Sequence, residues 1–85
     1  MKETLKQLTV AVEEMKKELP KEKADKAANY MEKLVDEATK EEPDSEWYSV
    51  SINGLLKAAE NIGKVGDAVI TLAGKVSTIL TSGLL

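Results

Sequence analysis

The sequence contains no cysteine, no histidine and no phenylalanine, and all twelve of its basic residues are lysine. Without cysteine there is no disulfide framework, and without cysteine or histidine there is no thiolate or imidazole metal site. General acid–base and nucleophilic catalysis near neutral pH lose their most adaptable groups at the same stroke. Arginine is the usual residue for bidentate contacts to phosphate and guanine. Its absence, with lysines interspersed among acids rather than gathered in a stripe, argues against sequence-specific nucleic-acid binding. Without phenylalanine the core has to be built from Leu, Ile, Val, Ala and Met.

Charge also runs short in one half. Residues 1–42 carry twenty charged side chains and residues 43–85 only seven; from Ala68 to Leu85 the single charge is Lys75. An ion-poor half is expected to hide under the charged half, against another copy, against a partner or in a membrane. The net charge is −3 and the length 85 residues, which suits one small domain over residues 1–85, of a size whose single core rarely supplies more than about 3–5 kcal/mol. The N-terminus opens on charged residues with no apolar stretch and no cleavage signature, so no signal peptide is expected and the expected compartment is the cytoplasm.

Leu5, Leu8, Val12, Met15 and Leu19 recur at alternating intervals of three and four, the seam of an amphipathic helix. Pro20 ends that helix and is well placed to open the next. Ala24, Ala27, Met31, Leu34 and Ala38 repeat the spacing, with Ala28 and Val35 widening the face, which predicts a second helix over residues 21–40. Glu13–Lys17, Glu22–Lys26 and Asp36–Lys40 are i,i+4 pairs in the favourable order. Residues 1–40 thus read as a charged helical hairpin.

Residues 41–50 read as a loop, because Pro43, Asp44 and Ser45 carry turn chemistry. Trp47 and Tyr48 beside it either plug the open end of a helical core or form a recognition patch. Ser49 or Ser51 is the expected N-cap of a third helix, whose apolar side is Ile52, Leu55, Leu56, Ala59 and Ile62. Gly63 reads as its C-terminal cap and Asp67 as the N-cap of a fourth helix over residues 68–80; the alternative is one helix over 51–80 bent at Gly63 and Gly66. In the fourth helix Ala68, Val69, Leu72, Ala73, Val76, Ile79 and Leu80 form a wide apolar arc, opposite Thr71, Gly74, Lys75, Thr78 and Ser82. That small, nearly uncharged arc suits close helix–helix contact, unless the helix lies centrally with both faces covered by its neighbours. Leu84 and Leu85 dock on the core or on another chain.

Catalytic, metal and cofactor motifs are absent. Lys75 and Ser77 are two apart on a helix and point to different faces. The acids Glu41, Glu42, Asp44 and Glu46 lack the spacing of a calcium loop, and the steps Gly63-Lys64 and Gly74-Lys75 do not match a phosphate-binding loop. The stretch from Ala68 to Leu85 only just reaches bilayer-spanning length and holds Lys75 near its middle.

The order Leu19-Pro20, a charged helix, Glu42-Pro43-Asp44, Trp47-Tyr48-Ser49-Val50-Ser51 and Gly54-Leu55-Leu56-Lys57-Ala58-Ala59 resembles the small helical segments at the C-terminal ends of some bacterial multidomain proteins. These include pentapeptide-repeat and conflict-system effector architectures, and the likeness spans residues 15–80. The resemblance implies an accessory interaction or oligomerisation module in a bacterium and carries over no catalytic or ligand residue. The domain that such segments accompany is missing from this chain, which leaves open whether 85 residues is the whole protein.

The expected fold is all-α, a small bundle of three to four helices in which the charged hairpin (1–40) packs on an apolar helical region (51–85). The expected role is a non-enzymatic protein–protein interaction or self-association module, needing no cofactor and binding no nucleic acid. Its working surface is expected at Trp47, Tyr48, Thr71, Gly74, Thr78, Leu84 and Leu85, and it meets a protein partner or a second copy. The alternative is a peripheral membrane-binding or membrane-disrupting protein acting through the C-terminal helix. If Thr71, Gly74 and Thr78 face solvent with no helix or chain near them, the expected working surface disappears.

Overall fold

The computed structural model describes residues 2–82 and is all-helical, with four helices: α1 (Lys2–Lys16), α2 (Lys21–Ala38), α3 (Ser45–Ala59) and α4 (Lys64–Ser82). Met1, Gly83, Leu84 and Leu85 lie outside the described residues, so the expectation for the two terminal leucines does too. The helices pack in a ring: α1 on α2, α2 on α3, α3 on α4, and α4 back on α1, while the diagonal pairs touch only marginally. The short links at residues 17–20, 39–44 and 60–63 make successive helices antiparallel neighbours. The charged hairpin therefore covers the apolar half along two seams.

Among the described residues each helix contributes four buried apolar side chains at heptad spacing. They are Leu5, Leu8, Val12 and Met15 from α1; Ala27, Met31, Leu34 and Ala38 from α2; Tyr48, Ile52, Leu55 and Ala59 from α3; and Val69, Ala73, Val76 and Leu80 from α4. Alternating steps of three and four keep one stripe of a helix facing its neighbours along its whole length. The four alanines let backbones approach where Leu, Ile and Met fill the space opposite. Leu19 and Ile62, which the seams also predicted, are only partly buried because each lies in a link rather than in a helix.

Helix ends depart from expectation in instructive ways. Residues 45–50, expected as loop, form the first turns of α3. Asp44 is the N-cap in place of Ser49 or Ser51: its side chain accepts from the Glu46 N–H at 2.9 Å, and its carbonyl accepts from Trp47 and Tyr48. The break between α3 and α4 is real, but Gly63 does not cap α3. Glu60 does, Asn61 and Gly63 take positive φ (64° and 82°), and α4 starts at Lys64 with Asp67 inside its first turn. Gly63 turns the chain straight into α4, its carbonyl accepting the Asp67 N–H at 3.0 Å.

The ion pairs form one residue out of the expected register. Glu13–Lys16 and Glu14–Lys17 meet at 3.5 Å and Glu37–Lys40 at 2.8 Å, all i,i+3, in place of the i,i+4 pairs. The first two are exposed and contribute little. The third acts on the fold, because Glu37 is the buried carboxylate that ties α2 to the start of α3.

Candidate functional site

Starting α3 at Ser45 sets the phase of its seam, and that phase separates the two aromatic residues of its first turn. Tyr48 falls on the stripe with Ile52, Leu55 and Ala59 and is buried; Trp47, one residue earlier, points outward and is 63% exposed. The expectation that the pair acts together, as plug or as patch, is corrected: Tyr48 is core and Trp47 is surface. Val50, one turn on from Trp47, is 57% exposed. An indole and a valine side by side in water form an apolar patch that a monomer gains nothing by exposing.

This patch is one end of a groove that runs between α2 and α3. Lys33, Asp36 and Glu37 of α2 and Lys40 of the following link line it opposite Trp47, Val50 and Ser51. Further along, Lys23 and Lys26 face Gly54, Lys57 and Ala58, and Leu19 and Ile62 close the far end. Tyr30 stands in the middle and borders both stretches. It can do so because residue 54 is glycine: a Cβ there would lie 2.5 Å from the Tyr30 ring. The ring therefore lies on bare α3 backbone, with Trp47 and Val50 lining the depression on one side of it and Ala58 and Ile62 the depression on the other.

The rim is basic. Lys23, Lys26, Lys33 and Lys57 are exposed and form no ion pair among the described residues. In the sequence these lysines look interspersed with acids. Folding gathers them, because positions 23, 26 and 33 share one edge of α2 and Lys57 meets them from α3. Only helical spacing within α2 was a usable signal; the contribution of α3 is a tertiary fact.

At the Trp47 end the groove is held in shape by Glu37. Its carboxylate accepts from Lys40 Nζ and from the Asp44 N–H, each at 2.8 Å. The Lys40 hydrogen bond is the main reason that Glu37 is held below the usual glutamate range. The Asp44 bond and the Lys40 charge add to this, and partial desolvation opposes them. Lys40 is raised in turn by that bond and by the Glu37 charge. Glu37 is thus satisfied internally and leaves the nearby lysines uncompensated.

The α4 face looks different from its sequence description. Thr71, Gly74 and Thr78 are exposed, a Cβ on Gly74 would meet nothing within 4 Å, and no helix covers them. The Thr78 hydroxyl donates to the Gly74 carbonyl at 3.0 Å, so this surface meets part of its own hydrogen-bonding need. A central α4 covered on both sides is therefore overturned. The premise behind a partner at this face weakens with it: α4 sinks Val69, Ala73, Val76 and Leu80 between its neighbours and turns Thr71, Gly74, Lys75 and Thr78 outward, with Ala68 and Ile70 its exposed apolar residues. Hydroxyls and backbone tolerate water without ions.

Among the described residues no group of three acidic residues converges on a possible cation site, and no helix is long and apolar enough to cross a membrane. The acids Glu41, Glu42, Asp44 and Glu46 are exposed in the α2–α3 link and the first turn of α3. Neither a protein-family model, nor a characterised protein, nor a solved structure matches this chain.

Proposed function

We propose that this bundle is a non-enzymatic protein-interaction module that works through the α2–α3 groove. The carrying observation is Trp47: the only tryptophan of the chain, 63% exposed on a rigid helix, next to an exposed valine and at the mouth of a groove. Tryptophan is the residue most enriched among interface hot spots, and a helix-borne side chain loses little further freedom on binding. Among the described residues the side chain–side chain hydrogen bonds are Lys–Glu pairs. The resemblance of residues 15–80 to accessory segments of bacterial multidomain proteins points the same way.

A membrane-surface role through α4 has less support, since such a helix presents its apolar arc outward and here that arc is inside the bundle.

Replacing Trp47 by a photo-crosslinking residue tests the proposal, with Thr71 on α4 as the matched control. Discrete adducts are expected from position 47 and not from position 71; an adduct of twice the chain mass identifies self-association. Equal labelling from both positions, or none from 47, removes the groove as the working surface. Trp47→Ala is expected to change unfolding free energy by less than about 0.5 kcal/mol while weakening partner binding roughly 30-fold.

A further inference from the structure

We propose that the occupant of the α2–α3 groove is an amphipathic helix of another protein that carries aspartate or glutamate beside its apolar stripe. The inference rests on the groove being the working surface. From Lys23 to Ala38 the α2 wall rises about 23 Å, which matches about four turns of a docked helix. The floor offers apolar contact at intervals along that length, at Trp47 and Val50, at Tyr30, and at Ile62. That is the layout of helix-in-groove recognition, in which anchors one turn apart enter a hydrophobic cleft.

Charge selects among helices. Lys23, Lys26, Lys33 and Lys57 surround the Tyr30 half of the groove without an ion-pair partner, on a protein whose net charge is −3. Glu60 is the only acid lining that half. At the Trp47 end the basic excess is gone: Lys33 and Lys40 share the lining with Asp36 and Glu37, and the exposed Asp44 and Glu46 lie next to it in sequence. The complementary helix is therefore polarised: carboxylates over the four lysines, apolar and uncharged residues over Trp47. Like charges at either end would be repelled. A second copy of this chain has no such helix to offer, since its own helices bury their apolar stripes. A flat anionic membrane is disfavoured because the lysines flank a concave cleft and the acids beside Trp47 would meet the headgroups.

The test selects binders to the whole protein from a displayed library of 18-residue helices with a fixed leucine stripe and flanking positions free to be Glu, Gln or Lys. Expected clones are enriched in Glu in one half only, shift the Trp47 emission to shorter wavelength, and weaken as salt rises. Converting Lys23, Lys26, Lys33 and Lys57 together to Glu is expected to weaken them at least about tenfold; the four Lys→Gln changes give a smaller loss in the same direction and serve if the Glu variant does not fold. Clones that shift Trp47 without Glu enrichment overturn the charge assignment and leave the groove standing. No clone that shifts Trp47 overturns both. Lysine-dependent binding to phosphatidylserine vesicles, with the same emission shift, replaces the helix by a membrane surface and overturns the inference.

Discussion

Glu37 shows at the residue scale how one side chain joins two elements. It is the only charged residue in the buried set, yet both carboxylate oxygens are engaged, one by Lys40 and one by the Asp44 amide. Its pKa is lower folded than unfolded, so the stability linked to it is present above the ordinary glutamate value of about 4.3 and is lost as pH falls through the lowered one. Lys40 is raised, so its share is present below about 10.4 and is lost at higher pH. Urea unfolding of the native chain and of Glu37→Gln is expected to differ at neutral pH and to converge in acid, where Glu37 is itself uncharged. A gap that persists undiminished in acid would mean the carboxylate charge plays no part. None of this was legible in the sequence, where the spacing Asp36–Lys40 pointed to the wrong acid. Which of two adjacent carboxylates a lysine meets depends on which one the bundle turns toward the link.

At the scale of the element, α4 is organised by two glycines with opposite roles. A Cβ at Gly66 would run into the Ala59 carbonyl and crowd Ile62, so the bare backbone is what lets α4 close against the end of α3. Gly74 faces open space. Gly66→Ala is therefore expected to lower unfolding free energy by about 1–2 kcal/mol, since backbone cannot yield cheaply. Gly74→Ala is expected to raise it by about 0.5–1 kcal/mol through helix propensity alone. Opposite shifts in the denaturation midpoint check both, and a loss at Gly74 would reveal a contact on the outer face of α4. The sequence marked these glycines as punctuation and as a contact surface respectively. It had no means of telling a packed glycine from a free one, because both sit in helical backbone. The start of α3 was legible and overlooked: Asp44 followed by Glu46 is an N-cap with an acid in the first turn, a stronger signal than the serines beyond it.

For the molecule as a whole, four helices share one core with four side chains each, so the loss of a central residue is felt everywhere. Leu34 has no exposed surface. Leu34→Ala is expected to cost about 2–5 kcal/mol, comparable with the whole net stability of a domain this small. A thermal melt followed by circular dichroism should show a largely unfolded chain at room temperature or a midpoint tens of degrees lower. A near-native melt would mean that the bundle is far more stable than its size suggests. The charge asymmetry of the chain finds its explanation at this scale. The hairpin of α1 and α2 supplies the ions, α3 and α4 supply the apolar arcs, and the ring closes because α4 returns to α1.

The sequence by itself determined the helices, their approximate number and almost every core residue, because helical periodicity is local: spacings of three and four put Leu5, Leu8, Val12 and Met15 on one stripe whatever they pack against. Only the tertiary structure decided what lies outside. Whether Trp47 or Tyr48 is buried, whether Tyr30 can rest on Gly54, and whether lysines from α2 and α3 share one rim are set by contacts between residues far apart in the chain. No periodicity records those contacts, and the surface proposed to bind a partner is made of them.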